Sequence, residues 1–156
     1  MSGTHNNHAF ENETERNKTV ARRYFEEFVD GRSLDVLDEI VDADAADETR
    51  VGVGGTGTRE DFREHAEWLW ENVKDVHVSV SDLLAEGDRV IVFWKIEGLH
   101  TGKIFGVPAT GKPFTGRSIS WLTVREGRIV RYNVLPDRLG IIEQLTDVDS
   151  PPYPGR

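Results

Sequence analysis

The sequence predicts a single α+β domain in which a curved antiparallel sheet wraps around N-terminal helices and encloses one pocket. Apolar residues recur at helical spacing through the first half of the chain, and the period changes to two after Asp75. Because helices and strands are segregated rather than alternating, the pattern favours α+β over a doubly wound sheet. The 156 residues suffice for one such domain, predicted at residues 14–148 between flexible tails at 1–13 and 149–156.

The first helix is predicted to begin at Thr14 and to end near Gly31, a good stop signal. One face of this helix is apolar and carries Val20, Tyr24, Phe25 and Phe28. Ser33 can cap a short second helix. An acidic, irregular stretch is expected to follow as far as Glu48.

A third helix is predicted to open at Thr58. The segment "TRED" resembles a capping box, with Asp61 in the place usually held by Glu or Gln. Its apolar stripe consists of Phe62, Ala66, Leu69 and Val73. Trp68 and Trp70 flank that stripe.

Four strand segments follow, and at least three of them are expected to form an antiparallel meander. They are "VHVSVSDLL", "RVIVFWKIEGLH", "RSISWLTV" and "RIVRYNVL". Gly87 and Asp88 mark the first turn, "REG" joins the last two strands, and residues 101–116 form a long Gly- and Pro-rich connection. A final helix carries Leu139, Ile142 and Leu145.

The long strand at residues 89–100 has two apolar faces. Alternation places Val90, Val92, Trp94, Ile96 and His100 on one face and Ile91, Phe93, Lys95, Glu97 and Leu99 on the other. One face can pack on the helices, and the other can line a cavity or a subunit contact.

The last strand supplies candidate catalytic groups. Unless Pro136 introduces a bulge, the residues that share one parity are Ile129, Asn133, Leu135 and Asp137. Asn133 and Asp137 therefore resemble the few polar groups fixed in an apolar pocket, and His100 is a third candidate. Each also has a simpler interpretation: Asp137 is a good helix N-cap residue, Asn133 can bond a neighbouring backbone group, and His100 can lie partly in solvent.

Composition excludes several classes of function. The net charge of −9 disfavours nucleic acid as a partner, and the lack of cysteine excludes disulfides and thiol catalysis. No apolar run approaches membrane-spanning length and no hydrophobic signal core is present, so we expect a cytoplasmic protein. The excess of acid, with arginine far outnumbering lysine, suits a salt-rich habitat, with an ordinary acidic cytosolic protein as an equal alternative. His5 and His8 could bind a metal, but a pair without a third fixed ligand is more often solvated.

Two glycine-rich segments imitate nucleotide-binding motifs. Residues 52–57, "GVGGTG", fit G-x-G-x-x-G but follow a segment too acidic for a buried parallel strand. Residues 106–113, "GVPATGKP", place Pro113 where a P-loop needs Ser or Thr, and a strand rather than a helix follows. Neither segment is interpreted as a nucleotide site. We expect no metal and no organic cofactor.

Three segments together resemble the SnoaL-like polyketide cyclase, or ester cyclase, family over about residues 15–146. They are "RRYFEEFVDGRSLDVLDEIV", "DLLAEGDRVIVFWKIEGLHTGKIFGVPATGKPF" and "REGRIVRYNVLPDRLGIIEQL". The second contains a strand that ends in His-Thr-Gly before a G-x-P-x-T-G-K loop. The third contains a glycine turn, a strand, and an aspartate before a short helix that ends in Gln-Leu. The resemblance implies the cone-shaped α+β fold of ketosteroid isomerase and scytalone dehydratase.

The resemblance also implies a chemistry. In the characterised cyclases an aspartate at the end of the last strand is the acid/base in an intramolecular aldol ring closure, without metal or cofactor. It corresponds to Asp137. Two features depart from the family pattern. Asn133 stands where a tryptophan is common, and residues 42–53, "DADAADETRVGV", lack the histidine that the family's early loop often carries near D-F-x-x-H.

Two functions are left open. The first is a lyase or isomerase acting on a hydrophobic, carbonyl-bearing small molecule, with Asp137 as base, His100 as donor to the enolate oxygen and Asn133 as helper. The second is a non-catalytic module for small-molecule binding or dimerisation. The candidate substrate-binding residues are Tyr24, Phe25, Phe28, Trp68, Trp94 and Trp121. The two apolar faces of the sheet predict a homodimer.

Overall fold

The computed structural model describes the backbone of residues 5–147 and the side chains of residues 12–147. The helices are α1 (His5–Arg23), which continues as a π-helical segment (Tyr24–Asp30), α2 (Leu34–Ile40), α3 (Arg59–Asn72) and α4 (Arg138–Leu145). The strands are β1 (Val41–Asp47), β2 (Val73–Glu86), β3 (Arg89–His100), β4 (Pro113–Arg125) and β5 (Arg128–Pro136). A short 3₁₀ turn, Glu48–Arg50, follows β1.

The described strands form one five-stranded sheet in the order β1-β5-β4-β3-β2. The four later strands make the predicted antiparallel meander, and the α+β class is confirmed. One pairing departs from the predicted antiparallel arrangement, because β1 pairs in parallel with β5. The sheet is therefore mixed, with α1 and α3 packed on its inner face.

Strand β1 lies where the sequence predicted an irregular acidic stretch. Val41, Ala45 and Asp47 of this strand are buried, whereas Asp44 is exposed. An edge strand tolerates outward carboxylates, which also discourage pairing with other chains. The inward side chains of β1 are small or charged, so the alternation that reveals a strand is weak here.

Helix α1 begins at His5 rather than at Thr14, so part of the predicted N-terminal tail is helical. The side chains of His5 and His8, and the predicted tail at residues 149–156, lie outside the described residues. The predicted apolar face of the helix is confirmed. The π-helical segment turns its apolar residues into the core, and these are Tyr24, Phe25, Phe28 and Val29.

The predicted alternation of β3 is confirmed. Val90, Val92 and Ile96 point to the inner face and are buried. The other face of the strand points outward and also carries apolar side chains. It forms a patch, here called the outer-face patch, of residues that neighbour one another across β2–β5: Leu84, Ile91, Phe93, Ile119, Trp121 and Leu135.

Strand β5 contains a bulge at Val130, which changes the faces that its residues occupy. Val124 pairs with Ile129 and Thr123 pairs with Arg131, so Val130 is an extra residue in the strand. Ile129 and Tyr132 are therefore both buried on the inner face, although they differ in parity. The parity predicted for the end of this strand is wrong, because an extra residue exchanges the faces of everything that follows it.

The start of α3 is built on Asp61, which is almost completely buried. Thr58 caps the helix as predicted, by accepting from the amide of Glu60. Asp61 does not complete a capping box. Its carboxylate instead accepts from the amides of Thr56, at 2.7 Å, and Gly57, at 2.8 Å. Burial alone would raise the pKa of Asp61, but these donors and the Thr56 hydroxyl together hold it below its ordinary value.

Helix α4 packs directly on β4 at Gly116. A Cβ at this position would lie 2.6 Å from Cδ1 of Ile141, so any larger residue would displace the Ile141 side chain. Asp137 caps α4 as predicted. The helix closes one end of the space between the sheet and α3.

Candidate active site

A cavity of about 320 Å³ lies on the inner face of the sheet, between α3, the β3–β4 loop and α4. This volume is at the lower end of the range of about 300–1,000 Å³ that is usual for small-molecule sites. Its floor is buried and consists of Ile96, Ile104, Phe114, Tyr132 and Ile141. More exposed residues form its mouth, among them Val53, Trp68 and Arg138.

His65 and Asp47 form a hydrogen-bonded pair in the wall of this cavity. His65 lines the cavity from α3, and its Nδ1 lies 2.8 Å from Oδ2 of Asp47 at the end of β1. Asp47 is almost completely buried, and its Oδ1 accepts from the amide and the hydroxyl of Thr49. Nε2 of His65 has no hydrogen-bond partner among residues 12–147. An ionised carboxylate can only accept, so this pairing places the ring hydrogen on Nδ1 and leaves a lone pair on Nε2.

A second polar chain runs under the cavity from Trp94 to Tyr132. Nε1 of Trp94 donates to Oγ of Ser120 at 2.9 Å, and Oγ of Ser120 donates to the Tyr132 hydroxyl at 3.3 Å. Tyr132 accepts in this chain, so its own hydroxyl hydrogen is available to another acceptor. Burial raises the pKa of Tyr132 well above its ordinary value, against a smaller lowering by the Ser120 hydrogen bond. Tyr132 therefore stays protonated as a donor.

Asp137 lies outside the cavity. Its Oδ1 accepts from the amide of Gly140 at 3.0 Å, and the side chain is exposed. It lines a second groove of about 440 Å³, which also contains Phe93, Ile119 and Leu135 of the outer-face patch. The geometry thus gives Asp137 the capping role, in a groove that borders the cavity at Trp94, Ser118 and Pro136.

The other two predicted catalytic residues make their described hydrogen bonds outside the cavity, although the buried Nε2 of His100 has no partner among the described residues. His100 is completely buried at the end of β3, where its Nδ1 lies 2.9 Å from the Thr110 hydroxyl and accepts from the Thr110 amide. It anchors the β3–β4 loop. Nδ2 of Asn133 donates to Glu48 at 3.1 Å, which ties β5 to the 3₁₀ turn. Neither residue lines the cavity.

Two of the predicted substrate-binding residues, Trp68 and Trp94, line the cavity. The three predicted on the first helix belong to the core instead, and they are Tyr24, Phe25 and Phe28. Trp121 is on the outer-face patch, where it is 37% exposed. The presence of aromatic residues in the sequence thus did not distinguish cavity-lining side chains from those in the core or on the outer surface.

The sequence prediction missed His65, although a signal for it exists. Asp61 to His65 read "DFREH", which fits D-F-x-x-H in helix α3 rather than in residues 42–53. Its partner Asp47 could not be found in the same way, because β1 was not recognised as a strand. The pair lies 18 residues apart along the chain and meets only because α3 packs against β1.

No group of three or more His, Asp or Glu side chains is placed to hold a metal ion within the described part of the chain. None of the described helices is both long enough and apolar enough to cross a membrane.

A mixed sheet wrapped on helices around one apolar cavity defines a class of small α+β cone proteins. The chain belongs to the SnoaL-like polyketide cyclase family, whose model matches residues 19–145. Two curated relatives are 30% identical to it over 87 residues: the aklanonic acid methyl ester cyclases DnrD of Streptomyces peucetius and DauD of Streptomyces sp. strain C5. The matched region spans 55% of this chain, and it covers 60% of the length of DnrD and 54% of the length of DauD.

Solved structures match over most of the chain. TsrD from Streptomyces laurentii has a TM-score of 0.70 at 22% identity and covers 86% of this chain and 95% of its own. A SnoaL-like polyketide cyclase from Agrobacterium tumefaciens has a TM-score of 0.73 at 14% identity, with 83% and 98% covered. At these identities the likeness establishes the cone fold. IdmH from Streptomyces antibioticus, at 28% identity and a TM-score of 0.69, covers 83% of this chain and 97% of its own.

Proposed function

We propose that this protein is an acid–base catalyst, without metal or organic cofactor, that acts on a hydrophobic small molecule containing a carbonyl group. The observation that carries the proposal is His65, which lines an apolar cavity while a buried carboxylate holds its Nδ1. An imidazole oriented in this way is a general base for a C–H next to a carbonyl. Asp47 fixes the tautomer and stabilises the imidazolium that forms.

The groups in this cavity can carry out every proton transfer that an intramolecular aldol closure requires. Nε2 of His65 removes the proton from the carbon next to one carbonyl, which forms an enolate. The Tyr132 hydroxyl donates to the enolate oxygen, which is the electrostatic support that the step needs. The enolate carbon then bonds to a second carbonyl carbon of the same molecule, and the new alkoxide takes the proton back from the imidazolium. The cavity contributes by holding both ends of the substrate together. The names of the curated relatives, methyl ester cyclases, support ring closure as the reaction.

The proposal can be tested before the substrate is known, with 5-nitrobenzisoxazole as a small C–H acid. Loss of its C3 proton breaks the N–O bond and releases a coloured nitrophenolate. We expect the protein to accelerate this elimination with saturation at high probe concentration. If the rate instead rises linearly with probe concentration and never saturates, the elimination is not taking place on probe bound in the cavity. The cavity then has no part in the mechanism.

The alternative function, a non-catalytic binding module, is favoured by the position of Asp137. The resemblance assigned the acid/base role to this residue, yet its carboxylate caps α4 and is exposed. Asp137 stays a candidate base until it is tested, and His65 is the base that the cavity geometry supports better.

Substitution separates the roles of Asp137. Asn caps a helix about as well as Asp, so Asp137→Asn should leave the melting temperature nearly unchanged, whereas Asp137→Ala should cost about 1 kcal/mol of stability. We expect both variants to keep the elimination rate per folded molecule, because the carboxylate lies outside the cavity. Loss of the rate in Asp137→Asn, with the melting temperature preserved, would transfer the role of the base from His65 to Asp137.

We further propose that the protein is a homodimer joined through the outer-face patch. Leu135 is 65% exposed in this patch, and Leu139, which belongs to α4 rather than to the patch, is 56% exposed. The two leucines give a matched pair of substitutions. Light scattering should find a dimer for the wild type and for Leu139→Glu, and a monomer for Leu135→Glu, because burying an unpaired carboxylate in the contact is costly. A wild-type monomer at micromolar concentration in both low and high salt would rule out the dimer. The cytoplasmic location and the salt-rich habitat stay predictions.

A further inference from the structure

The charges that line the cavity have one sign. Two carboxylates lie behind the lining, Asp47 on His65 and Glu64 on Arg50, but the charged side chains that line the cavity itself, among the described residues, are Arg50 and Arg138. The chain as a whole carries a net charge of −9. A cleft whose charge opposes that of the rest of the molecule attracts a ligand of the other sign.

Arg138 lies at the mouth of the cavity and stacks on an aromatic ring. Its Cζ lies 5.3 Å from the centre of the Phe105 ring, and both residues line the cavity. Arg138 has no hydrogen-bond or ion-pair partner within the described residues. Stacking on a ring orients the planar group and leaves its N–H donors available for a bidentate acceptor such as a carboxylate.

Arg50 contributes from the other wall, at the end of the 3₁₀ turn. Its Nη2 is 2.9 Å from Oε2 of Glu64, which positions the side chain. Arg50 also lines the cavity, so its guanidinium places a second positive charge in the wall. Its Nε is buried and is not exposed to the cavity.

We propose that the substrate is an apolar carbonyl compound that also carries an anionic group, a free carboxylate rather than an ester, held by Arg138 and Arg50. The assignment of the reacting carbonyl to the floor of the cavity rests on the proposed function. The anionic group lies at the mouth, and the carbonyl lies near His65 and Tyr132. The arginines thus select and orient the substrate, and they are binding residues rather than proton-transfer groups.

A pair of fluorescent probes tests the inference without any turnover. The anion 8-anilinonaphthalene-1-sulfonate and the neutral N-phenyl-1-naphthylamine share one aromatic body and differ by the sulfonate. We expect the wild type to bind the anion about tenfold more tightly than the neutral probe. Arg138→Gln should remove most of that preference and leave the affinity for the neutral probe within about twofold. Arg50→Gln should act in the same direction.

Arg117→Gln is the control, because Arg117 lines the second groove rather than the cavity. It should change neither affinity. The inference is overturned if the wild type has no preference for the anion, if Arg138→Gln weakens both probes equally, or if Arg117→Gln removes the preference instead. Should Arg50→Gln fail to fold, Arg138→Gln decides alone, since its side chain is exposed. A preference for the anion without elimination activity would keep this inference and end the proposed function.

Discussion

Replacing His65 with glutamine is expected to lower the elimination rate by about 10²–10⁴-fold, which is the contribution typical of a positioned general base. Glutamine can still donate from its amide to the buried carboxylate of Asp47, so the fold should keep its melting temperature. It has no basic nitrogen. Asp47→Asn should lower the rate as well, because asparagine can present a donor to Nδ1 and reverse the tautomer of His65.

His77 provides a matched control for this prediction. Its Nδ1 also lies 2.8 Å from an aspartate oxygen, Oδ1 of Asp30, but its side chain is 60% exposed whereas that of His65 is 29% exposed. His77 is not among the residues that line the cavity. His77→Gln should therefore keep the full rate. A full rate in His65→Gln, or an equal loss in His77→Gln, would show that the pair in the cavity wall is not the base.

Replacing Asp61 with asparagine is expected to destabilise the protein by about 2–3 kcal/mol. Hydrogen bonds to a buried charge are lost, and the new side-chain NH₂ group points at a backbone N–H that needs an acceptor. Oδ1 of Asp61 accepts from Thr56 and Oδ2 accepts from Gly57. The amide of asparagine has one oxygen, so it cannot accept at both positions. Urea unfolding at neutral pH should give a lower midpoint for the variant with an unchanged slope.

The same variant should show a definite pH dependence. The pKa of Asp61 is lower in the folded protein than its ordinary value. Its contribution to stability is therefore fully present above the unfolded-state pKa and is lost as the pH falls through the folded-state pKa. The difference in stability between wild type and Asp61→Asn should shrink in acid. Glu60→Gln, an exposed change in the same turn, should have little effect at either pH, and a difference that grows in acid would contradict the assignment.

Most of the fold could be predicted from the sequence because its signals are local. The alternation in "RVIVFWKIEGLH", the caps at Ser33 and Thr58 and the N-cap Asp137 each depend on neighbouring residues only, and all are confirmed. Strand β1 was missed because its register depends on a distant partner, β5. Local patterns do not specify which strand a short acidic segment will join.

The candidate site was harder to predict, for two physical reasons. The pair His65 and Asp47 is created by tertiary packing between α3 and β1, so no spacing in the sequence announces it. The faces of β5 are set by one extra residue, and "RIVRYNVL" has apolar residues at both parities. Both registers are therefore compatible with burial, and only the pairing with β4 decides that Tyr132 rather than Asn133 faces inward.

The bulge at Val130 has a consequence for evolution. The residues on both sides of Val130 are already paired with consecutive residues of β4, Thr123 and Val124. A deletion of this one codon would keep those pairs, and Tyr132 would still face inward while Asn133 faced outward. The fold can therefore gain or lose a residue here without moving any functional side chain. Homologues are expected to differ in length by one residue at this point. Where an alignment places the resulting gap decides which residue of each homologue is compared with Asp137.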